Sequence, residues 1–181
     1  MITAQQKRKD NIFEYLIYMW QVEDLIRACR FDEDEIEKRV ISQYDQTEDV
    51  KREIRVWYRE IINMMRSESV MENGHIQINK NAMADLTSLH FRLLKTPKET
   101  IYGSLYYKTL PSIVQLRSKS GGSDISEIET CFTAVYGFLL LKMQGKEISN
   151  ETIVSVKQIS NLLTFLAARF HEEENPEVCT N

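Results

Sequence analysis

Apolar residues recur every three or four positions along most of the chain, which is the spacing that places them on one face of an α-helix. Capping residues precede most of these segments, so the pattern predicts about seven helices. The predicted helices begin at Ile12, at Asp32, at Thr47, at Asn79 or Asn81, at Pro97, at Ser123 or Asp124, and at Ser149. The first and the sixth are the most apolar, and we expect the others to pack around them.

Three segments depart from a simple helical pattern. Residues 75–78 alternate between polar and apolar, but one strand of four residues could not form a sheet, so we expect an extended connector. Pro111 interrupts the fifth helix and predicts a kink or a break, because proline lacks the amide hydrogen and clashes with the preceding turn. Residues 171–181 are charged, contain Pro176 and are expected to fray.

The sixth helix is apolar on nearly every side between Cys131 and Leu141, which predicts that other helices surround it. Within it, Gly137 would allow a neighbour to approach closely, and Gly145 is expected to end the helix. The run from Ser118 to Ser123 that precedes this helix is the best candidate for a flexible loop.

Composition narrows the fold class and the domain organisation. With 181 residues, 43% of them hydrophobic and 28% charged, the chain fits one globular domain with a buried core. It contains only 6 Gly and 3 Pro, which favours long helices over many short strands and tight turns. The sequence therefore predicts an all-α fold, a single-domain bundle of about seven helices that spans residues 1–181.

Charge and cysteine content limit the location and the partners. The formal net charge of -4 argues against general adhesion to nucleic acid or to an anionic membrane. Cys29, Cys131 and Cys179 are far apart and lack the spacing of metal ligands, so we expect free thiols in a reducing compartment. Charges inside the first apolar stretch, such as Glu23 and Arg27, argue against both an export signal and a spanning helix. We predict a cytoplasmic protein that is not integral to a membrane.

Two charged residues are out of place in the first helix, Ile12 to Cys29. Glu23 and Arg27 fall on its most apolar side, where a core-facing residue is expected. They are four positions apart and can pair along the helix, while Asp24 offers Arg27 an alternative partner. The leading interpretation is a structural ion pair.

Buried charges persist where further hydrogen bonds complete them, and Tyr15, Tyr18 or Tyr44 could supply such bonds. Buried charges are also common at binding sites, which leaves a polar pocket for a small ligand as the alternative. The ligand-binding residues of that pocket would be Trp20, Glu23 and Arg27.

A basic stripe lies on the outward side of the third helix and is formed by Arg52, Arg55, Arg59 and Arg66. Nearby acidic residues can neutralise it, and no aromatic residues interleave with the arginines as they do in proteins that bind single strands. We therefore expect surface salt bridges, which argues against nucleic acid as a partner and leaves an acidic protein as the remaining option.

The sequence contains no recognisable catalytic or metal-binding pattern. Glu72 and His75 have the Glu-x-x-His spacing of di-iron ligands, but a glycine separates them and no second copy exists. No nucleophile elbow accompanies the few histidines, and we expect His90 at a helix surface. The Ser118 to Ser123 loop lacks the Gly-Lys-Ser/Thr ending of a phosphate-binding loop. We predict no catalytic residue, no metal and no cofactor.

Three segments carry a resemblance to a known family: Glu14 to Ala28 (EYLIYMWQVEDLIRA), Gln77 to Asn81 (QINKN) and Glu127 to Phe132 (EIETCF). Over its whole length the chain resembles an uncharacterised bacterial family built on a domain of unknown function. The resemblance implies a small all-helical protein, and it implies no activity, catalytic residue or binding residue.

These observations favour binding over chemistry. The leading hypothesis is a non-enzymatic cytoplasmic interaction or scaffold module, with a second copy in a homodimer or another protein as its partner through a surplus apolar helix face. The alternative is a small-molecule-binding protein or an enzyme with a polar pocket around Glu23 and Arg27. A water-filled cavity that reaches Glu23 would favour the alternative, and a dry, fully bonded carboxylate would favour the first.

Overall fold

The computed structural model describes residues 2–119 and 125–175, with side chains from Ala4 onward. Within these residues it contains eight α-helices and no strand. The helices are α1 (Ile2–Asp10), α2 (Ile12–Ala28), α3 (Glu33–Arg39), α4 (Glu48–Ser67), α5 (Gln77–Lys95), α6 (Thr100–Lys119), α7 (Glu127–Met143) and α8 (Asn150–Glu174), and a 3₁₀ turn (Ile41–Gln43) follows α3. The all-α prediction is confirmed, with one helix more than the pattern indicated.

Side-chain caps explain where four of the helices begin. In each case a side-chain oxygen accepts an amide hydrogen from the first turn, which satisfies a donor that has no partner within the helix. The capping residues are Asp32 for α3, Thr47 for α4, Ser126 for α7 and Ser149 for α8. The predicted starts of α3, α4 and α8 are confirmed. Ser123 and Asp124, the predicted caps of α7, lie outside the described residues.

Three features differ from the prediction. α1 was not expected, because its sequence is almost entirely polar and shows no apolar stripe. α5 begins at Gln77 rather than after Asn79 or Asn81, so the predicted connector is reduced to residues 75–76. Pro111 lies inside α6, and the helix continues through it without a break.

The chain divides into two compact units, Met1–Asp10 with Glu14–Asn81 and Asn11–Phe13 with Ala82–Asn181. The prediction of one domain over residues 1–181 stays a prediction. In the first unit the apolar faces of α2 and α4 are buried, and this burial removes Glu23 from solvent as well. Their buried apolar residues are Tyr15, Leu16, Met19, Trp20, Val22, Ile26, Ile54, Tyr58, Ile61, Ile62 and Met65.

In the second unit α6, α7 and α8 pack against one another. The ring of Phe13 meets that of Phe132 edge to face, with centroids 5.3 Å apart. The buried apolar residues of the three helices are Tyr102, Ile113, Ile128, Cys131, Phe132, Tyr136, Val156, Ile159, Leu162, Leu163, Leu166 and Ala167.

The C-terminal half of α7 is not surrounded by other helices, contrary to the prediction. Phe132 and Tyr136 are buried, whereas Leu141 is 42% exposed and Met143 is 71% exposed. Beyond its chain neighbours and the backbone of its own helix, no described atom lies within 4 Å of the position that a Cβ would take at Gly137, so the predicted close neighbour is not found there. Despite this apolar end, none of the described helices is both long and apolar enough to cross a membrane.

Gly145 ends α7, as the sequence predicted. Its φ of +65° lies in the left-handed region that favours glycine. Its amide donates to the carbonyl of Lys142, and the amide of Lys146 donates to that of Leu141, both at 3.0 Å. These are the two bonds of a Schellman motif, which satisfies the last carbonyls of the helix.

Candidate functional site

The carboxylate of Glu23 is fully buried, with 0% exposure, and both of its oxygens are bonded by protein groups. Oε1 accepts from the backbone amide of Ile76 at 3.0 Å and from the side-chain amide of Asn79 at 2.8 Å. Oε2 lies 2.5 Å from Nδ1 of His75. The hydroxyl of Tyr15 in turn donates to Oδ1 of Asn79 at 3.3 Å. The buried charge is therefore completed by a hydrogen-bond network.

Glu23 acts as a distant cap of α5. Ile76 directly precedes this helix and has no side-chain acceptor, so the first amides of α5 need acceptors from elsewhere in the chain. Glu23 accepts from the amide of Ile76, and Glu68 accepts from that of Gln77. The positive end of the helix dipole also stabilises a negative charge at this point. This arrangement explains why an acid lies on the apolar side of α2.

Arg27 binds the segment that leads into α5. Nη2 donates to the carbonyl of Val70 at 3.1 Å and also to the carbonyl of Gly74, while Nη1 donates to Asp24 at 2.8 Å. Arg27 thus takes Asp24, and not Glu23, as its acidic partner. Its buried Nε has no hydrogen-bond partner in the part of the chain that the structure describes.

The three residues predicted to bind a ligand all contact residues 70–76, through separate interactions. The indole of Trp20 stacks on the imidazole of His75, with ring centroids 4.2 Å apart and an angle of 11° between the planes. Glu23 and Arg27 bind the same segment through the bonds given above. Of the tyrosines expected to complete the buried charge, Tyr15 takes part, through Asn79. A ligand-binding role of the three residues stays a prediction.

Sequence reasoning missed His75 and Asn79 as partners of Glu23. The signal that points to them is indirect: a buried acid needs hydrogen-bond donors, and Ile76, which directly precedes α5, has no side chain that could cap the helix. Pairing the buried acid with the uncapped helix start would have placed Glu23 at the start of α5. The alternating pattern of residues 75–78 concealed this start, because it was assigned to an extended connector.

A second buried polar cluster lies in the second unit, around His90. The prediction that His90 lies at a helix surface is wrong, since it is 1% exposed. Its Nδ1 is 2.6 Å from the hydroxyl of Tyr102, and its Nε2 is 3.8 Å from Oε2 of Glu127. Oε2 of Glu127 accepts from the hydroxyl of Tyr106 at 2.9 Å. His90 follows Leu86 by four residues, a spacing that could have revealed its inward position.

We expect His90 to make stability depend on pH. Burial lowers its pKa from the ordinary value of 6.5, and Glu127 offsets this only in part. The unfolded chain therefore takes up this proton more readily than the folded protein, so the contribution of a neutral His90 is complete above pH 6.5 and falls as the pH decreases below it. Urea denaturation of the wild type should lose more stability between pH 7 and pH 5 than that of His90→Gln. Equal losses in the two proteins would contradict the assignment.

The arginines of the basic stripe bind acidic side chains. Arg55 pairs with Glu37 at 2.7 Å, and Arg59 pairs with Glu33 at 2.8 Å. These bonds lower the pKa of both carboxyls. Arg52 lies 3.4 Å from Asp49, while Arg66 donates to the carbonyl of Phe31. The salt bridges expected from the sequence are present for the first three arginines.

The described cysteines are buried, and the described His, Cys, Asp and Glu side chains form no metal site. Cys29 and Cys131 are buried free thiols, and burial raises the pKa of Cys131 to about 12, which keeps it protonated. Across residues 2–119 and 125–175, no three or more His, Cys, Asp and Glu side chains are grouped so that they could hold a metal ion.

A groove of about 500 Å³ opens in the second unit and is lined by α6, α7, α8 and the residues next to them; we call it the α6–α7–α8 groove. Its volume falls in the range of small-molecule sites. The described lining residues are Ser112, Gln115, Leu116, Lys119, Ile125, Thr130, Thr133, Ala134, Gly137, Phe138, Leu141, Ser149, Glu151, Thr152, Ser155, Val156 and Ile159. None of the candidate residues from the sequence lies in it.

Comparison with known proteins identifies a family whose function is unknown. A search of curated proteins and a search of solved structures each find no match to the chain. A family model described as a domain of unknown function (DUF4924) matches residues 1–177, nearly the whole length. The chain therefore belongs to this family of proteins of unknown function.

Proposed function

We propose that this protein is a non-enzymatic binding module that holds an elongated apolar ligand in the α6–α7–α8 groove. The observation that carries the proposal is Gly137, which lies inside α7 and lines the groove. Beyond its chain neighbours and the backbone of its own helix, no described atom lies within 4 Å of where its Cβ would be. A glycine inside a helix costs about 1 kcal/mol relative to alanine. The space above Gly137 is therefore kept open at a cost in stability, which suits a site filled by a ligand.

The lining supports an apolar occupant. The hydroxyls of Thr130 and Thr133 each donate to a carbonyl four residues earlier in the chain, at 2.9 Å. They need no partner from a ligand, so an apolar group can cover them without leaving a polar atom unbonded. Ala134, Phe138 and Leu141 continue the apolar wall along α7. Charged residues lie only at Lys119 and Glu151 among the described lining residues.

A binding role is also favoured over chemistry by the state of the reactive side chains. The described lining of the groove contains neither histidine nor cysteine. His90 and Cys131 are buried elsewhere in the second unit, and their shifted pKa values keep both groups neutral near pH 7. Glu23, around which a catalytic or polar pocket was considered, has both oxygens occupied by the protein itself. The groove is thus the better candidate for a binding site.

Substitution of Gly137 tests the proposal. Gly137→Leu should fill the groove, while Gly137→Ala adds a single methyl group and serves as the matched control. Neither should lower the melting temperature, because both residues favour a helix more than glycine does and the space is open. We expect the leucine variant to bind the apolar fluorescent probe 8-anilinonaphthalene-1-sulfonate at least tenfold more weakly than the wild type, roughly 1.4 kcal/mol.

Probe titration of the three proteins measures this difference. Equal probe affinity of the leucine variant and the wild type would contradict the groove as the binding site. A melting temperature that is unchanged or raised shows that weaker binding does not arise from unfolding.

A second candidate function is self-association, because α6 presents an unusually apolar outer face. Tyr107 and Val114 are 69% and 58% exposed, and Lys108 is the one charged residue among the six exposed positions from Ile101 to Val114. Tyr107 and Val114 are two helical turns apart on one face. An antiparallel second copy would pair the tyrosine of each chain with the valine of the other, without a like-charge contact at the centre.

Light scattering tests self-association. We expect the wild type to be a dimer and Val114→Glu to be a monomer, because the new carboxylate would be buried at the contact. Val154→Glu is the matched control, since Val154 is equally exposed, at 56%, but lies on α8. A monomeric wild type, or a dimer that survives the change at Val114, would contradict this candidate.

The proposal includes a cytoplasmic location. It is supported by Cys29 and Cys131, which are buried as free thiols and would not need an oxidising compartment.

A further inference from the structure

We propose that the ligand of the α6–α7–α8 groove is an uncharged apolar molecule with one hydrogen-bonding group, an alcohol or a ketone, that binds the hydroxyls of Ser112 and Ser155. This inference rests on the proposed function, because it names the ligand class of the same groove. It adds that the ligand carries no charge, and it adds the contact that fixes its polar group.

Ser112 of α6 and Ser155 of α8 both line the groove, and they lie at the same level of an antiparallel helix pair. The hydroxyl of Thr109 donates to the carbonyl of Gln158 at 3.5 Å, and the two serines lie three residues further along α6 and three residues back along α8. The other contacts that fix this antiparallel direction are Glu99 with Arg169 and Tyr102 with Phe165. Since packed helices have axes about 8–10 Å apart, one polar group of a ligand can reach both hydroxyls.

The two serine hydroxyls lack the internal bonds that Thr130 and Thr133 make. Both serines are half-buried, and their hydroxyls form no hydrogen bond with residues 2–119 or 125–175. Water satisfies them while the groove is open, but an apolar ligand that covers them removes this water. A buried polar group without a partner costs about 1–3 kcal/mol. A ligand that supplies the partner therefore binds more tightly than one that is wholly apolar.

The other polar side chains of the described lining need no bond from the ligand. The hydroxyls of Ser149 and Thr152 lie 3.0 Å apart and bond each other. Gln115 is exposed and keeps its contact with water. The serine pair is thus the place where the ligand needs a polar group.

The charges of the groove favour an uncharged ligand. α6 runs alongside α7 in the same direction, since Tyr106, early in α6, bonds Glu127 at the start of α7. Lys119, Leu141 and Glu151 therefore lie at the same end of the groove, where the two opposite charges favour neither an anion nor a cation. No other described lining residue is charged. Elsewhere in the groove an ion would lose water without gaining a countercharge.

Alanine substitution of both serines tests the polar contact, with 2-naphthol and 2-methylnaphthalene as probes of similar shape. Displacement of 8-anilinonaphthalene-1-sulfonate gives the dissociation constant of each probe. We expect the double variant, Ser112→Ala with Ser155→Ala, to raise the ratio of the naphthol constant to the methylnaphthalene constant about fivefold, because one hydrogen bond contributes about 1 kcal/mol. The ratio cancels the different solubilities of the two probes in water.

Ser160→Ala is the matched control, because Ser160 is also a half-buried serine of α8 but lies outside the described lining. It should leave the ratio unchanged. None of these substitutions should lower the melting temperature, since alanine favours a helix more than serine does.

The charge of the ligand is tested with 2-naphthoate and 2-naphthylmethylammonium. We expect each ion to bind the wild type about tenfold more weakly than 2-naphthol, because it loses water of hydration without gaining a countercharge. Tighter binding of either ion than of 2-naphthol would overturn the uncharged ligand.

An unchanged ratio in the double serine variant would overturn the serine contact while the groove itself stands. Affinities for 2-naphthol and 2-methylnaphthalene that are both unchanged in Gly137→Leu would overturn the proposed function together with this inference.

Discussion

Replacement of Glu23 by alanine should lower the free energy of unfolding by about 3–5 kcal/mol, the largest effect that we expect from a single change. The substitution leaves the amide of Ile76, the side-chain amide of Asn79 and the ring of His75 without their shared acceptor. The site is fully buried, so water cannot replace the carboxylate without opening the structure. Urea denaturation followed by circular dichroism measures the change.

Two further variants make the result specific to the buried bonds. Glu23→Gln should cost about 1–2 kcal/mol, because its amide oxygen can still accept from Ile76 and a change of tautomer lets His75 accept from its NH₂ group. Glu53→Ala, at an exposed position of α4, should change stability by less than about 0.5 kcal/mol. A loss at Glu23→Ala no greater than that at Glu53→Ala would mean that the network contributes nothing to stability.

Replacement of Arg27 by methionine should cost about 2–3 kcal/mol, the second largest effect. Methionine keeps much of the apolar stem, so the loss reports on the guanidinium, which donates to the carbonyls of Val70 and Gly74. The side chain of Arg27 is only 16% exposed, so solvent compensates these carbonyls poorly. The same denaturation experiment measures the loss.

The matched control is Arg52→Met. The side chain of Arg52 is 71% exposed and lies 3.4 Å from Asp49, a surface pair of the kind that contributes little to stability. We expect its removal to change the free energy of unfolding by less than about 0.5 kcal/mol. If the two arginine variants lost the same amount, the bonds of Arg27 to the backbone would have no special role.

Local sequence signals predicted most of the helices because the interactions that form them are local. Asp32, Thr47 and Ser149 cap the helices that directly follow them, and Gly145 ends α7 through bonds within a few residues. Periodicity likewise predicted that α4 is a helix. It failed for α1, whose sequence is too polar to show a stripe.

The site around Glu23 could be predicted only in part, because its partners are distant in sequence. The apolar surroundings of Glu23 and Arg27 in α2 revealed that both charges need partners. The actual partners follow α4 in the chain, more than forty residues away, and no spacing rule connects them. Asp24 could be predicted as a partner of Arg27, because it lies three residues away on the same helix.

The α6–α7–α8 groove escaped prediction because an apolar helix looks the same in sequence whether protein or ligand covers it. Cys131 to Leu141 indicated a surrounded helix, yet burial ends near Tyr136. The close neighbour that the sequence predicted at Gly137 is absent among the described residues, and the space there is open. Sequence periodicity identifies which surface avoids water, and it does not identify what covers that surface.

The distant caps of α5 have a consequence for the order in which the protein assembles. Glu23 accepts from the amide of Ile76, which directly precedes the helix, and Glu68 accepts from that of Gln77, its first residue; the two acceptors lie 53 and 9 residues earlier in the chain. An α5 segment on its own would fray at this end, so its first turn becomes stable only after α2 has docked. The amide hydrogen of Ile76 is fully buried and held by Glu23, and it should exchange with deuterium only when the first unit opens. One backbone proton thus reports on the docking of a helix from a distant part of the chain.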